Sequence, residues 1–207
     1  MNNLDDNKTK WNNRARTYDK SFRSKFFTSV QNKAIKIIEL KPGMTFLDIG
    51  CGTGWTVKHA YDQMSGQGIF IGVDISEKMI NIAKEKFRNI QSIKFIQSSA
   101  EAINLSPMSV DRIICTNSFH HYPDPVEVLS VAKKILRNNG LICIADVTTD
   151  FLFPRLLNGL LKKTEKAHVS FYNSNQYMEM ARKAGLKYKT KQALNPIIKM
   201  HICEKIR

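Results

Sequence analysis

The stretch FLDIGCGTG at residues 46–54 constrains this chain more than any other. An apolar run that reads as a strand, Thr45 to Ile49, leads directly into glycines at 50, 52 and 54. A helix follows, with Val57, Ala60, Tyr61 and Met64 on one face at helical spacing. Glycine at alternate positions lets the backbone turn sharply and lets a ligand approach its amides. The helix N-terminus beyond it favours a carboxylate or phosphate. Twenty residues after Gly54, near the end of a second apolar run from Ile69 to Ile75, stands Asp74, whose carboxylate can accept from both hydroxyls of a ribose. The dinucleotide spacing G-x-G-x-x-G is not met, because the bulky Trp55 follows Gly54.

Strand and helix patterns alternate from about Lys41 onward, which predicts a parallel sheet with crossover helices. Ser76 caps a helix with the stripe Met79, Ile80, Ala83 and Phe87, and further strands are expected at Ile93–Gln97, Ile113–Thr116 and Leu141–Val147. Asp124, Pro125 and Glu127 read as a helix start, and Asn138–Asn139–Gly140 as its left-handed stop. After a helix over Asn173–Ala184, two strand-like runs, Leu186–Leu194 and Ile197–Ile206, are joined only by Asn195–Pro196. So short a link allows only antiparallel pairing. The expected fold class is α/β: a doubly wound, Rossmann-like, seven-stranded sheet, mostly parallel with an antiparallel C-terminal hairpin.

The net charge of +14 is uneven, at +6 over residues 1–41, −1 over 42–154 and +9 over 155–207. Basic flanks around a neutral centre can steer anionic partners such as nucleic acid or a membrane surface, and equally suit solvated lysine on helix faces. The four cysteines, Cys51, Cys115, Cys143 and Cys203, form no Cys-x-x-Cys pair, which argues against a zinc site. With no signal-peptide core at the N-terminus and no apolar run near the ~18 residues that span a bilayer, a cytoplasmic protein without a transmembrane segment is expected.

Taken in order, the motifs resemble those of the class I S-adenosylmethionine-dependent methyltransferases. Leu47–Gly54 (LDIGCGTG) is similar to their first motif almost letter for letter, and Gly72–Ser76 (GVDIS) followed by Met79 to their ribose-binding motif. Ser99-Ala100-Glu101, Leu136–Leu141 (LRNNGL) and Ala184-Gly185-Leu186 match later landmarks. Trp11–Asp19 (WNNRARTYD) resembles the opening helix of the type 11 branch, which contains the ubiquinone and small-molecule methyltransferases. The resemblance covers essentially the whole chain. It implies one domain over residues 1–207: N-terminal helices (1–41), a cofactor-binding core (42–150), a substrate cap (151–172) and a C-terminal helix and hairpin (173–207).

The resemblance also implies roles. Asp48 would face the methionine ammonium of S-adenosylmethionine, and Gly50, Cys51, Gly52 and Gly54 would wrap that moiety. Asp74 would hold the ribose, Ile75 and Met79 would lie against the adenine, and Ser99, Ala100 and Glu101 would stand at the adenine edge. Asn117 would lie beside the methionine portion, and Tyr18 would close over the cofactor. The family commonly has aspartate where Ser99 stands and proline where Asn104 stands. S-adenosylhomocysteine would be the product, and no metal is expected.

Transfer from a sulfonium is an in-line displacement, so alignment and exclusion of water matter most. Trp11, Tyr18, Phe119 and Tyr122 are the candidate aromatic neighbours of the cation. His120 and His121, just after the fourth strand, are the candidate bases if the acceptor carries a proton, while His59, His168 and His201 have no supporting constellation. Phe151–Tyr172 combines leucines and phenylalanines with Lys162, Lys163 and Lys166, and reads as an amphipathic cap over the acceptor, a dimer surface or a membrane-touching segment. A small-molecule acceptor is favoured. Nucleic acid or protein is the alternative partner, and a nicotinamide oxidoreductase or a silent cofactor-binding protein is less well supported. Acceptor atom and oligomeric state are left open.

Overall fold

The computed structural model describes residues 3–206, the side chains of residues 3 and 22–26 apart. Two helices come first, α1 (Asn3–Tyr18) and α2 (Phe22–Ile37). Then follow β1 (Thr45–Ile49), α3 (Trp55–Gln63), β2 (Ile69–Asp74), α4 (Glu77–Lys86), β3 (Ile93–Gln97), β4 (Val110–Thr116), α5 (Pro125–Ile135) and β5 (Leu136–Val147). The chain ends with α6 (Leu152–Thr164), α7 (Ser174–Lys183), β6 (Lys187–Ala193) and β7 (Ile198–Glu204).

All seven strands form one sheet in the order β3-β2-β1-β4-β5-β7-β6. The first five pair in parallel, and β7 runs antiparallel between β5 and β6. This is the expected doubly wound sheet with its antiparallel hairpin. The Asn195 side chain makes the hairpin by accepting from the amides of Ile197 and Ile198 at 2.9 and 2.8 Å. Strand order steps outward in opposite directions from β1 and β4, so their C-terminal ends part and leave a crevice, the usual ligand position in such sheets.

Period-two alternation sends neighbouring residues to opposite faces. Phe46 and Phe70 join Ala34, Ile38, Val57, Ala60 and Ile80 under α2, α3 and α4. On the other face Leu47, Ile49, Ile113 and Ile142 meet Val128, Leu129, Ala132 and Tyr177 of α5 and α7. Phe46 and Phe70 are wholly buried, and truncating either to alanine costs about 3–5 kcal/mol. The edge strand β6 is almost wholly exposed and carries Lys187, Lys189 and Lys191, charges that discourage edge-to-edge pairing.

Helix starts follow their caps. Ser76 Oγ accepts from Met79 N, Asp124 accepts from the amides of Val126 and Glu127, and Asn173 with Gln176 forms a reciprocal capping box. One helix end differs from expectation. Helix α5 stops at Ile135, not at Asn138–Gly140, because Leu136 is already extended and paired with Val110 of β4. The left-handed residue is Asn139, at φ 62°, inside the strand. Its amide donates to Lys205 O, and Gly140 O accepts from Lys205 N, so pairing with the C-terminal chain overrides the local stop. Likewise β4 begins at Val110, earlier than expected, with a register shift before Arg112. No helix among the described residues is long and apolar enough to cross a membrane.

Candidate active site

The glycine turn lies at the crevice. Gly50, Gly52 and Gly54 have φ of 78°, 52° and 86°, a region open to glycine and strained for other residues. The amides of Gly50 and Cys51 both donate to Val73 O, which folds the turn back over β2. Space is as restrictive as angle. A Cβ on Gly54 would meet the Phe95 ring at 2.7 Å, and one on Gly50 would meet Ser118 Cβ at 2.6 Å. Asp74 closes the turn from the neighbouring strand, with Oδ2 accepting from Gly52 N and Oδ1 from Ser76 N, each at 2.8 Å. Burial raises its pKa, and those two amides oppose the rise. Each oxygen keeps a lone pair for a further donor.

Asp48 is the most unusual group. It is fully buried in β1, and neither carboxylate oxygen has a hydrogen-bond partner among the described residues. Burial lifts its pKa to about 8, the negative Asp74 adds to the rise, and Thr56 opposes it. Such a carboxyl calls for a cation. The Asn117 side chain is likewise buried and unpartnered at both polar atoms, on a residue held at φ 54°.

Helix α1 roofs two adjoining cavities. The first runs past Asp74, Ile75, Ser99, Ala100 and Glu101 toward His121 and Tyr122. The second follows Gly50, Cys51 and Gly52 past Tyr18, Met79 and Asn117. Trp11 borders both. The roof is tied down along its length: Asn7 Nδ2 donates to His121 O at 3.1 Å, and Asn12 Oδ1 accepts from Ser76 Oγ at 2.7 Å. Just past its end, Asp19 accepts from Thr53 Oγ1 and pairs with Lys86, both at 2.6 Å. Burial pushes the Tyr18 phenol up to about 12.

The sequence profile of a family described as a methyltransferase domain matches residues 40–198. The chain belongs to this methyltransferase family. It is 31% identical over 117 residues to an uncharacterized methyltransferase of Schizosaccharomyces pombe, over 52% of this chain and 40% of that protein. It is 26% identical over 113 residues to the demethylmenaquinone methyltransferase of Staphylococcus aureus, over 54% and 46%. The chain thus spans less than half the length of these curated relatives. A crystal structure of an S-adenosylmethionine-dependent methyltransferase from Aquifex aeolicus shares the fold, with TM-score 0.72 and 21% identity over 88% of this chain and 93% of that one.

The residues of the crevice fit S-adenosylmethionine, the cofactor that the sequence motifs imply. Unpartnered Asp48 suits an ammonium, Gly50 and Gly54 leave no room for a side chain, Gly52 faces open space with Tyr18 4.0 Å away, and Asp74 retains acceptors at the lip. Ser118 and Asn12 were not foreseen as site residues. Ser118 Oγ donates to Ile49 O at 3.1 Å and lies 3.0 Å from the Tyr122 hydroxyl, pinning the end of β4 against the glycine turn. A lone serine or asparagine carries no such signal in sequence.

Beyond the cofactor crevice the methyltransferase brings three histidines together. His121 Nδ1 donates to Ala167 O at 2.5 Å, which leaves Nε2 as the acceptor in the neutral ring. Burial holds His121 well below its ordinary pKa. The His120 ring lies 3.9 Å from it, and its Nδ1 meets the buried Asp146 carboxylate at 2.9 Å. His168 stands 5.5 Å from His120, so it is part of this cluster and not an isolated residue. His201 is structural, stacked on Tyr177 at 4.0 Å and bonded to Tyr188. Phe119 lies in the core against Tyr177, not in either cavity. Within 151–172, the amides of Val169 and Ser170 donate to His120 O, whereas α6 turns most of its leucines outward.

Proposed function

We propose that this protein transfers the methyl group of S-adenosylmethionine to a small, apolar or anionic acceptor held beneath α1, using His121 as base when the acceptor atom carries a proton. The observation that carries this is the tied-down roof. Asn7, Asn12 and Asp19 hold α1 over the crevice, leaving the acceptor the part of the first cavity that runs beyond the cofactor residues to His121 and Tyr122. On this reading residues 42–150 hold the cofactor, while α1 and the segment after α6 border the acceptor.

When bound, the cofactor supplies an activated sulfonium methyl. The chain's own tasks are to orient and to exclude water. Asp48 receives the ammonium, Asp74 the ribose hydroxyls, and Trp11 and Tyr122 wall the transfer space. Nε2 of His121 takes the acceptor's proton. The adjacent His120, anchored by Asp146, keeps the pair of rings in register and places a carboxylate behind the developing charge. Similarity to a demethylmenaquinone methyltransferase supports hydroquinones as the first acceptors to try.

The test is transfer of radiolabelled methyl to hydroquinones, phenols and phosphorylated amines, beside RNA and protein. The proposal expects turnover on a small acceptor, with His121→Ala lowering kcat about 100-fold and leaving cofactor affinity unchanged. Faster methylation of RNA or protein than of any small acceptor would overturn it.

A further inference from the structure

Helix α6 presents an apolar face that nothing in the described structure covers. Leu152, Leu156 and Leu160 recur at four-residue spacing and are 70%, 66% and 58% exposed, and Phe153 beside them is 67% exposed. The opposite side, with Pro154, Leu157 and Leu161, turns inward, and Asn158 anchors it by accepting from Phe171 N at 2.8 Å. The outward face is therefore not a misplaced core stripe. Arg155 and Lys162 flank this face and Lys163 stands on it one turn beyond Leu160; none of the three forms an ion pair among the described residues, and α6 has no acidic residue. Four large apolar side chains outward within nine residues exceed the scattered exposure normal for a soluble surface.

We propose that this face of α6 docks on an anionic lipid bilayer, the helix lying flat with its leucines in the acyl boundary and its basic margin among the headgroups. Charge complementarity selects this occupant. Residues 155–207 carry +9, and a bilayer rich in anionic lipid meets both halves of the helix at once. A second copy of the chain would meet the face with the same residues. A two-fold contact would set the basic residues of one copy, Arg155, Lys162 and Lys163, against the equally basic face of the other, with no acidic residue on α6 to pair them. Docking also places the acceptor wall near the lipid, since the segment that follows α6 supplies Ala167 to His121 and the Val169 and Ser170 amides to His120. The inference stands on the exposed face and not on the identity of the acceptor.

The experiment is cosedimentation of the full chain with phosphatidylcholine vesicles, with and without phosphatidylglycerol. Wild type is expected to pellet with the mixed vesicles at low salt and to be released at high salt. Leu156→Glu should abolish partition, and Lys162→Gln and Lys163→Gln should each weaken it about fivefold. These side chains are exposed, so S-adenosylmethionine binding, measured in parallel, should be unchanged in every variant and reports folding separately. Failure of wild type to bind mixed vesicles, equal binding by Leu156→Glu, or a concentration-dependent dimer that Leu156→Glu dissolves would each overturn the proposal.

Discussion

Replacing Asp48 by asparagine should weaken the cofactor and strengthen the empty fold, two opposite effects from one buried carboxyl. With a pKa of about 8, Asp48 is mostly protonated at pH 7 in the ligand-free protein, and ionising it there costs about 1 kcal/mol. Removing one partner of a buried ion pair costs about 3–5 kcal/mol. Asparagine forgoes the pair but also the ionisation, so the net loss is about 2–4 kcal/mol, a weakening of about 30- to 900-fold. The stability sign follows from the raised pKa. The folded state holds a proton that the unfolded chain releases near 3.8, so the ligand-free wild type loses stability as pH rises from about 4 to 8. The variant lacks that slope and should melt higher at pH 8, by about 2–4 °C for each kcal/mol recovered. Calorimetric titration of S-adenosylmethionine and scanning calorimetry at pH 5, 6.5 and 8 measure both effects. Wild-type binding should also tighten up to about pH 8 and release a proton below it. Binding by Asp48→Asn within about threefold of wild type, or a lower melting point than wild type at pH 8, would refute the assignment.

Asp74→Ala should lower cofactor affinity about 100-fold in the same titration, since charged hydrogen bonds to a ribose contribute about 1.5–3 kcal/mol. Gly54→Ala should destabilise the protein by about 2 kcal/mol or more in urea melts, because the residue sits at φ 86° and its Cβ would meet Phe95 at 2.7 Å. Tyr177→Phe should leave stability unchanged or raise it by up to about 1 kcal/mol, since the buried hydroxyl has no hydrogen-bond partner among the described residues; a loss beyond that would reveal one. Asp146→Asn should lower kcat at least about tenfold with the cofactor Kd unchanged, and a parallel fall in cofactor affinity would mean a merely structural role.

What could be read directly was whatever a few adjacent residues decide. The glycine turn was legible because positive φ at 50, 52 and 54 leaves glycine as the natural occupant. The caps at Ser76 and Asp124 were legible because the bonded amides lie two or three residues away. The antiparallel hairpin was legible because two residues cannot make a crossover. Even there, the stop expected at Asn138–Gly140 yielded to pairing with Lys205, a partner that lies far along the chain.

The sequence by itself determined the element order, the glycine turn and its acidic partner, because dihedral demands and apolar periodicity are local properties of the chain. Only the tertiary structure decided that Asp48 lacks a partner, that Asn12 and Asp19 clamp α1 over the cavities, and that Asp146 and His168 join His120 and His121. It also decided which face of α6 turns outward, since a helix with leucine on most sides shows its solvent face only once Pro154, Leu157 and Asn158 have docked. Those facts depend on contacts between residues 13 to 64 positions apart, and packing, not local conformational preference, selects them.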